Sequence, residues 1–190
     1  RERTYFPQLC LIQVASAEQA WCLDAIALED LTPFMALCQS PDIVKVLHSA
    51  RQDMEIFCLQ ADAVPMPIFD TQIAATFTGR SDQISYAALV EEIFEVKLDK
   101  SQSRTDWVKR PLRPEQITYA LNDVVYLNTM HERLHHDLAA KGRTQWFEED
   151  SRELGNLEIY RVKPSDAWQK VKGAGHLDKR AFKCLMALAA

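Results

Sequence analysis

No two of the five cysteines (Cys10, Cys22, Cys38, Cys58, Cys184) stand in a Cys-x-x-Cys pair, and their count is odd. That argues against a disulfide framework and against a zinc site, the two uses that need paired or closely spaced thiols. The cysteines are expected instead to be small buried hydrophobes in a reducing cytoplasm. No apolar run approaches the roughly 20 residues of a membrane span, and no basic-then-apolar start reads as a secretory signal. A membrane is therefore not an expected partner. Positive charge is also short: 22 Lys and Arg stand against 27 Asp and Glu, for a net charge of −5 and a pI near 5.6. Such a chain does not coat nucleic acid by charge alone. It can still gather carboxylates that hold metal ions, and let those ions meet a phosphate. Repeats and low-complexity tracts are absent too.

What remains is ordinary globular material. Over 190 residues, 47% are apolar and 26% charged, enough for one core plus a small appendage. The chain begins at Arg1 rather than Met and closes inside the helical pattern Phe182 to Ala190. A fragment of a longer protein is the expectation.

The apolar run Leu9 to Ala15 predicts a buried strand, and Trp21 to Ile26 a second. Thr32-Pro33 opens a short helix through Phe34 to Cys38. Ile43 to Leu47 reads as another buried strand, followed by a helix over Gln52 to Gln60. Pro67-Ile68-Phe69 is a brief strand, and Asp70 is placed to cap a helix that ends near Gly79. A further helix covers Ser85 to Phe94. The stretch from Lys97 to Arg113 has no periodicity and reads as a long loop. Pro114 opens a long helix to about Ala140. Gly142 closes this unit, and Pro164-Ser165-Asp166 starts a new helical segment, with another helix from Leu177 to Ala190. Strands that alternate with helices predict an α/β layer architecture with a mixed sheet.

Three segments carry chemistry. Asp53 lies in the first turn of a helix directly after a buried strand, where a carboxylate gains from the helix dipole and where open α/β sheets place ligands. On its own it is equally an ordinary helix-start acid. Tyr119 and Asp123 stand four apart and share one helix face. Such a carboxylate can hold a metal while the phenol orients water; the same pair also fits a core-edge Tyr beside a solvated Asp. The loop holds Lys97, Lys100, Arg104, Lys109, Arg110 and Arg113 around Trp107, a basic island in an acidic chain. It suits phosphates and a stacked base, or a solvated loop anchored by its Trp. Long loops in compact domains are often functional. His48, at a strand end, is expected to be a hydrogen-bonded structural residue. His131, His135 and His136 are expected on a solvated helix face.

In this order and spacing, the segments resemble the ribonuclease D family of DEDD 3′-5′ exonucleases, in its tyrosine-containing subgroup. His48 to Phe57 is similar to the family's second motif, with Asp53 at the metal-binding aspartate. Tyr119 to Asp123 is similar to the third, with Tyr119 at the water-orienting position and Asp123 at the last metal aspartate. Arg1 to Leu9, Phe69-Asp70-Thr71-Gln72 and the stretch Lys97 to Leu112 are also family-like. The segment from Pro164 is similar to the opening of the helicase-and-ribonuclease-D C-terminal (HRDC) domain.

The resemblance implies a ribonuclease H-like three-layer fold with a mixed sheet, followed by the start of an all-α domain. It divides the chain into an exonuclease domain (1–142), a linker or connecting helix (143–163) and a partial helical domain (164–190). It implies trimming of RNA 3′ ends, of the kind that matures tRNA precursors or other structured RNA with 3′ extensions. Two Mg²⁺ or Mn²⁺ ions would be held by Asp53, Asp123 and two further carboxylates, with nucleoside 5′-monophosphates released. Lys100, Arg104, Arg110 and Trp107 would meet RNA, His48 and Asp70 would support the site, and the protein would be a cytoplasmic monomer.

The family's first motif, an Asp-x-Glu pair on the first strand, is missing. Asp24 and Glu29 do not substitute, since they follow the Leu9 to Ala15 strand rather than precede it. The 190 residues alone are therefore expected to be weak or inactive. A DNA 3′-5′ exonuclease of the same superfamily and a non-catalytic RNA-binding fragment remain as alternatives.

Overall fold

The computed structural model describes residues 7–161, 168, 171 and 173–189. Strand β1 (Ile12–Ala15) and strand β2 (Ala20–Leu23) form an antiparallel hairpin, with Ile12 opposite Leu23 and Ala15 opposite Ala20. The Ser16 hydroxyl closes its turn by accepting the N–H groups of Glu18 and Gln19. β2 stops before its expected end because Asp24 folds the chain over: its carboxylate accepts the N–H groups of Ile26 and Ala27. Strand β3 (Lys45–Leu47) and strand β4 (Ile68–Asp70) pair in parallel, with Leu47 opposite Asp70. A parallel pair needs a crossover, and helix α2 (Arg51–Ala61) supplies it. Among the described residues, the expected mixed sheet is realised as these two separate pairs. β1 bonds only β2 and β3 bonds only β4, so β1 and β3 each keep one strand edge without a partner. Ile43 and Val44, expected inside a buried strand, precede the β3 ladder and are exposed.

The helices follow their start signals closely. Asp30 accepts the Thr32 N–H at 2.8 Å where helix α1 (Thr32–Gln39) begins, with Pro33 in its first turn. Asp70 caps helix α3 (Thr71–Phe77), and Ser85 caps helix α4 (Tyr86–Phe94). The helix expected to run unbroken from Pro114 to Ala140 is two: α5 (Pro114–Asn122) and α6 (Leu127–Ala140). Between them the backbone tightens to bonds three residues apart, from Asp123 N–H to Ala120 O and from Val124 N–H to Leu121 O. The run Asn122-Asp123-Val124-Val125 consists of weak helix formers, so the turn yields there.

The main core joins Phe69 of β4 to Leu89 and Val90 of α4 and to Met130, Leu134 and Leu138 of α6. Helix α7 (Thr144–Arg152) adds Phe147, whose ring lies 4.6 Å from that of Phe69. Arg143 donates to Phe77 O at 2.8 Å. Beyond α7, two short turns bury Leu154 and Tyr160 against Met54 and Ile68, and the Tyr160 hydroxyl donates to Leu154 O. Residues 143–161, most of the stretch expected as a linker or connecting helix, include α7 and pack into the core. Their three apolar anchors sit among acids at spacings too wide to show periodicity.

Helix α8 (Lys179–Ala189) matches the expected last helix. The expected helix start at Pro164, Ser165 and Asp166 and the family-like Arg1 to Phe6 lie outside the described residues. Cys38 and Cys58 are buried as expected, Cys10 and Cys22 partly so, but Cys184 is exposed on α8. No described helix is long and apolar enough to cross a membrane.

Candidate active site

A cleft of about 510 Å³ opens between the two strand pairs. One wall is β1 with the residues that precede it, from Leu9; the other is Ile43 to Leu47. Both walls are mostly apolar. Asp53, in the first turn of α2, and Asp123, at the C-terminal end of α5, both line it. Two aspartates that are 70 positions apart in the sequence therefore face one space, which is the arrangement their motifs predict.

Neither carboxylate makes a hydrogen bond or an ion pair among the described residues. Both remain reachable by solvent, yet the surrounding wall crowds them. Burial pushes Asp53 up to about 6, with the nearby Asp70 charge adding to the shift. Burial pushes Asp123 up to about 6 as well. An ordinary carboxylate titrates near 4. Two hard-oxygen donors that lack a counter-charge and resist ionisation suit a divalent cation, which would supply that charge. Among the described residues no group of three or more His, Cys, Asp or Glu side chains is placed to hold a metal. Asp53 and Asp123 could hold a cation only together with donors beyond this pair.

Tyr119 sits one turn before Asp123 on α5, and its phenol is pushed up by burial and by the Asp123 and Asp99 charges. Its ring packs on Trp107, with centroids 6.1 Å apart. Trp107 thus meets Tyr119 directly, whatever else it touches. His48 lines the cleft but is tied down: Nε2 lies 3.0 Å from Ile84 O and Nδ1 lies 2.9 Å from the Thr71 hydroxyl. Burial lowers its pKa, which favours a neutral ring that donates from Nε2 to the Ile84 carbonyl. That is the structural role expected of it. Asp70 is buried and accepts four backbone N–H groups.

Arg110 has a different task from the expected phosphate contact. Its Nε and Nη2 donate to the Asp24 carboxylate at 2.6 and 2.7 Å, Nη2 also to Cys10 O at 2.8 Å, and Nη1 to Trp107 O and Lys109 O at 2.7 and 3.1 Å. All five N–H bonds of the guanidinium are engaged. Arg110 staples the loop to the β1–β2 hairpin and fixes the backbone of Trp107. Asp24 is held well below the usual carboxylate range, at about 2, chiefly by its bond to Arg110. Lys100 and Arg104 are exposed on the same loop and make no ion pair among the described residues, so they stay available to a polyanion. Arg110→Ala is therefore expected to lower the rate through a loosened loop. The slope of polyanion affinity against salt should stay at its wild-type value, whereas Lys100→Ala should reduce it by about one unit. A salt titration of binding to a polyanion separates the two roles.

His131 is not on a solvated face as expected. Its ring stands edge-on to Phe69, with centroids 4.5 Å apart. Of the three, His135 and His136 are exposed. Tyr86 went unread in the sequence although it lines the cleft. Its ring edge meets His48, with centroids 5.6 Å apart, and burial raises its phenol above the ordinary range. Its hydroxyl is buried without a well-formed hydrogen bond among the described residues. No local signal marks it, because a Tyr that opens a helix after a Ser cap reads simply as a helix start.

Comparison with known proteins agrees with this geometry. A family model described as 3′-5′ exonuclease matches residues 1–139. A protein named ribonuclease D from a Jannaschia species is 46% identical over 177 residues, which cover 90% of this chain and 46% of that protein. Ribonuclease D of Acidiphilium cryptum is 41% identical over 191 residues, or 100% of this chain and 48% of that protein. Escherichia coli RNase D, described as an exoribonuclease involved in structured RNA processing, superposes with a TM-score of 0.87 at 38% identity, covering 100% of this chain and 50% of its own. Brucella melitensis NrnC with bound Mg²⁺ shares the fold, with a TM-score of 0.72 at 24% identity. The chain spans about half the length of the curated relatives it matches.

Proposed function

Since the chain belongs to the 3′-5′ exonuclease family and is similar along its length to ribonucleases D, we propose that its protein is a 3′-to-5′ exoribonuclease of the ribonuclease D type. Its fold is the mixed α/β, ribonuclease H-like one. The observation that carries the reading is the cleft in which Asp53 and Asp123 meet without a counter-charge.

When bound, two divalent ions, Mg²⁺ or Mn²⁺, supply Lewis-acid chemistry at the scissile phosphate. Asp53 and Asp123 would hold them. By the family resemblance the two remaining carboxylates would belong to an Asp-x-Glu pair on a first strand. By itself the chain binds Mg²⁺ weakly. Tyr119 orients the water whose oxygen attacks phosphorus; the nucleoside 5′-monophosphate leaves as the RNA 3′ oxygen departs. Lys100 and Arg104 grip the RNA backbone. RNA with a 3′ extension, of the tRNA-precursor kind, is the substrate class. The description of the Escherichia coli structural relative supports RNA over DNA.

The test is degradation by the full-length protein with Mn²⁺ of single-stranded RNA, duplex DNA and a tRNA carrying a 3′ extension. Both RNAs should shorten from the 3′ end with release of 5′-monophosphates, and Tyr119→Phe should slow this by roughly a hundredfold, the lower end of the range for a group that handles the proton of an attacking water. Faster loss of duplex DNA would move the assignment to a DNA exonuclease.

A further inference from the structure

Helix α2 carries Asp53 but has no cap of its own. Its first residue is preceded by Ala50, which has no side chain that could accept an N–H. What holds the start of α2 is a set of bonds from the neighbouring strand to the two residues that precede its first turn. Asp70 ends β4 directly opposite Leu47, the last residue of β3, and is only 2% exposed. One of its carboxylate oxygens accepts the Ala50 N–H at 2.7 Å. The other accepts the N–H groups of Ser49 at 3.1 Å, Gln72 at 2.8 Å and Ile73 at 3.4 Å. A single buried carboxylate thus closes both strand-to-helix corners. The corner it closes on the α2 side is a demanding one: Ser49 has φ +56, the left-handed region that costs a non-glycine residue energy. The Asp70 bond to the Ser49 N–H holds that conformation in place. Charged acceptors of backbone N–H are about twice as strong as neutral ones, so few side chains could do this.

We propose that Asp70 is the positioning residue for Asp53: by accepting the N–H groups of Ser49 and Ala50, it fixes the corner from which α2 starts and hence the place at which Asp53 enters the cleft. The inference rests on the metal-nuclease reading of Asp53 and adds to it a support that acts through another residue. Asp70 itself is not among the residues that line the cleft between the strand pairs. Thr71, its neighbour, makes a comparable set of buried bonds, to Leu47 O at 3.0 Å and to His48, but none of them to the α2 corner. It is the natural control.

The experiment uses the full-length protein and the variants Asp70→Asn, Thr71→Val and Asp53→Asn. Mn²⁺ affinity is measured by calorimetry, corner order by amide exchange, stability by Tm, and trimming of a labelled RNA gives kcat and KM. Asp70→Asn keeps one acceptor oxygen and presents an NH₂ where the other stood. It should weaken Mn²⁺ binding roughly tenfold to a hundredfold, the range for partners behind a metal ligand. Exchange at Ser49 and Ala50 should speed up, and kcat should fall with KM for RNA little changed. Thr71→Val should lower Tm while Mn²⁺ affinity stays at the wild-type value. If Asp53→Asn abolishes Mn²⁺ binding and turnover but Asp70→Asn shifts Mn²⁺ affinity no more than Thr71→Val does, the positioning role is overturned and the nuclease reading stands. If Asp53→Asn leaves both unchanged, the nuclease reading itself fails. Should Asp70→Asn not fold, Asp70→Glu keeps the charge and moves the carboxylate by one methylene; weakened Mn²⁺ binding is again expected, and wild-type affinity overturns the proposal.

Discussion

Replacing Asp123 by Asn in the full-length protein is expected to cut RNA trimming by roughly a thousandfold or more, about 4 kcal/mol of lost transition-state stabilisation, while raising the Tm of the metal-free protein. The same pair of results is expected for Asp53→Asn. The two signs have one cause. Both carboxyls titrate near 6 in the folded chain, against about 4 when unfolded. Between those values the folded state binds more protons than the unfolded state, so stability falls as pH rises through that window. At neutral pH the ionised pair costs stability, and a divalent ion offsets that cost when it binds. Asn removes the charge and so the cost, but it also removes the ligand. Calorimetric melts in chelator, beside initial rates with Mn²⁺, check both halves. A surface aspartate with no partner would change neither quantity. A purely structural aspartate would lower Tm when replaced.

Phe147→Ala is expected to destabilise the protein by about 3–5 kcal/mol, the usual cost of emptying an aromatic core position. The ring is 6% exposed and belongs to the same cluster as Phe69, Leu134 and Leu138. A linker residue would give a change within about 0.5 kcal/mol, so urea melts distinguish a core segment from a tether. The effect should reach the site as well. Phe69, against which Phe147 packs, directly precedes Asp70 on β4, and Asp70 closes the α2 corner. Turnover should therefore decline before global unfolding does.

How much of this could be read beforehand depends on how local each signal is. Asp53 and Asp123 were singled out by short, ordered patterns, strand then helix for the first and a shared helix face with Tyr119 for the second, but those patterns fit ordinary residues too, and the resemblance to the ribonuclease D family is what marked them as candidate metal ligands. The cap Asp70 was legible for a local reason, since a cap bonds the backbone two or three residues on. The Asp24–Arg110 staple was not. Its partners are 86 residues apart, and in composition Arg110 is one more cation in a basic loop beside Lys100 and Arg104. The break at Asp123 was hidden because Val124, Val125 and Leu127 continue the apolar spacing across it. His131 was misplaced because the helix pattern says which residues share a face, but not that Phe69 would arrive against that face. That residues 143–161 pack into the core was not legible, because Phe147, Leu154 and Tyr160 are separated by acids and Gly155. Their partners Phe69, Met54 and Ile68 come from much earlier in the chain.

The central claim is most directly tested by locating a metal. Crystals of the full-length protein soaked with Mn²⁺, with data collected at the Mn absorption edge, should show anomalous density within coordination distance of oxygens from both side chains at positions 53 and 123. Density seated elsewhere, with those two carboxyl groups left to solvent, would contradict the account.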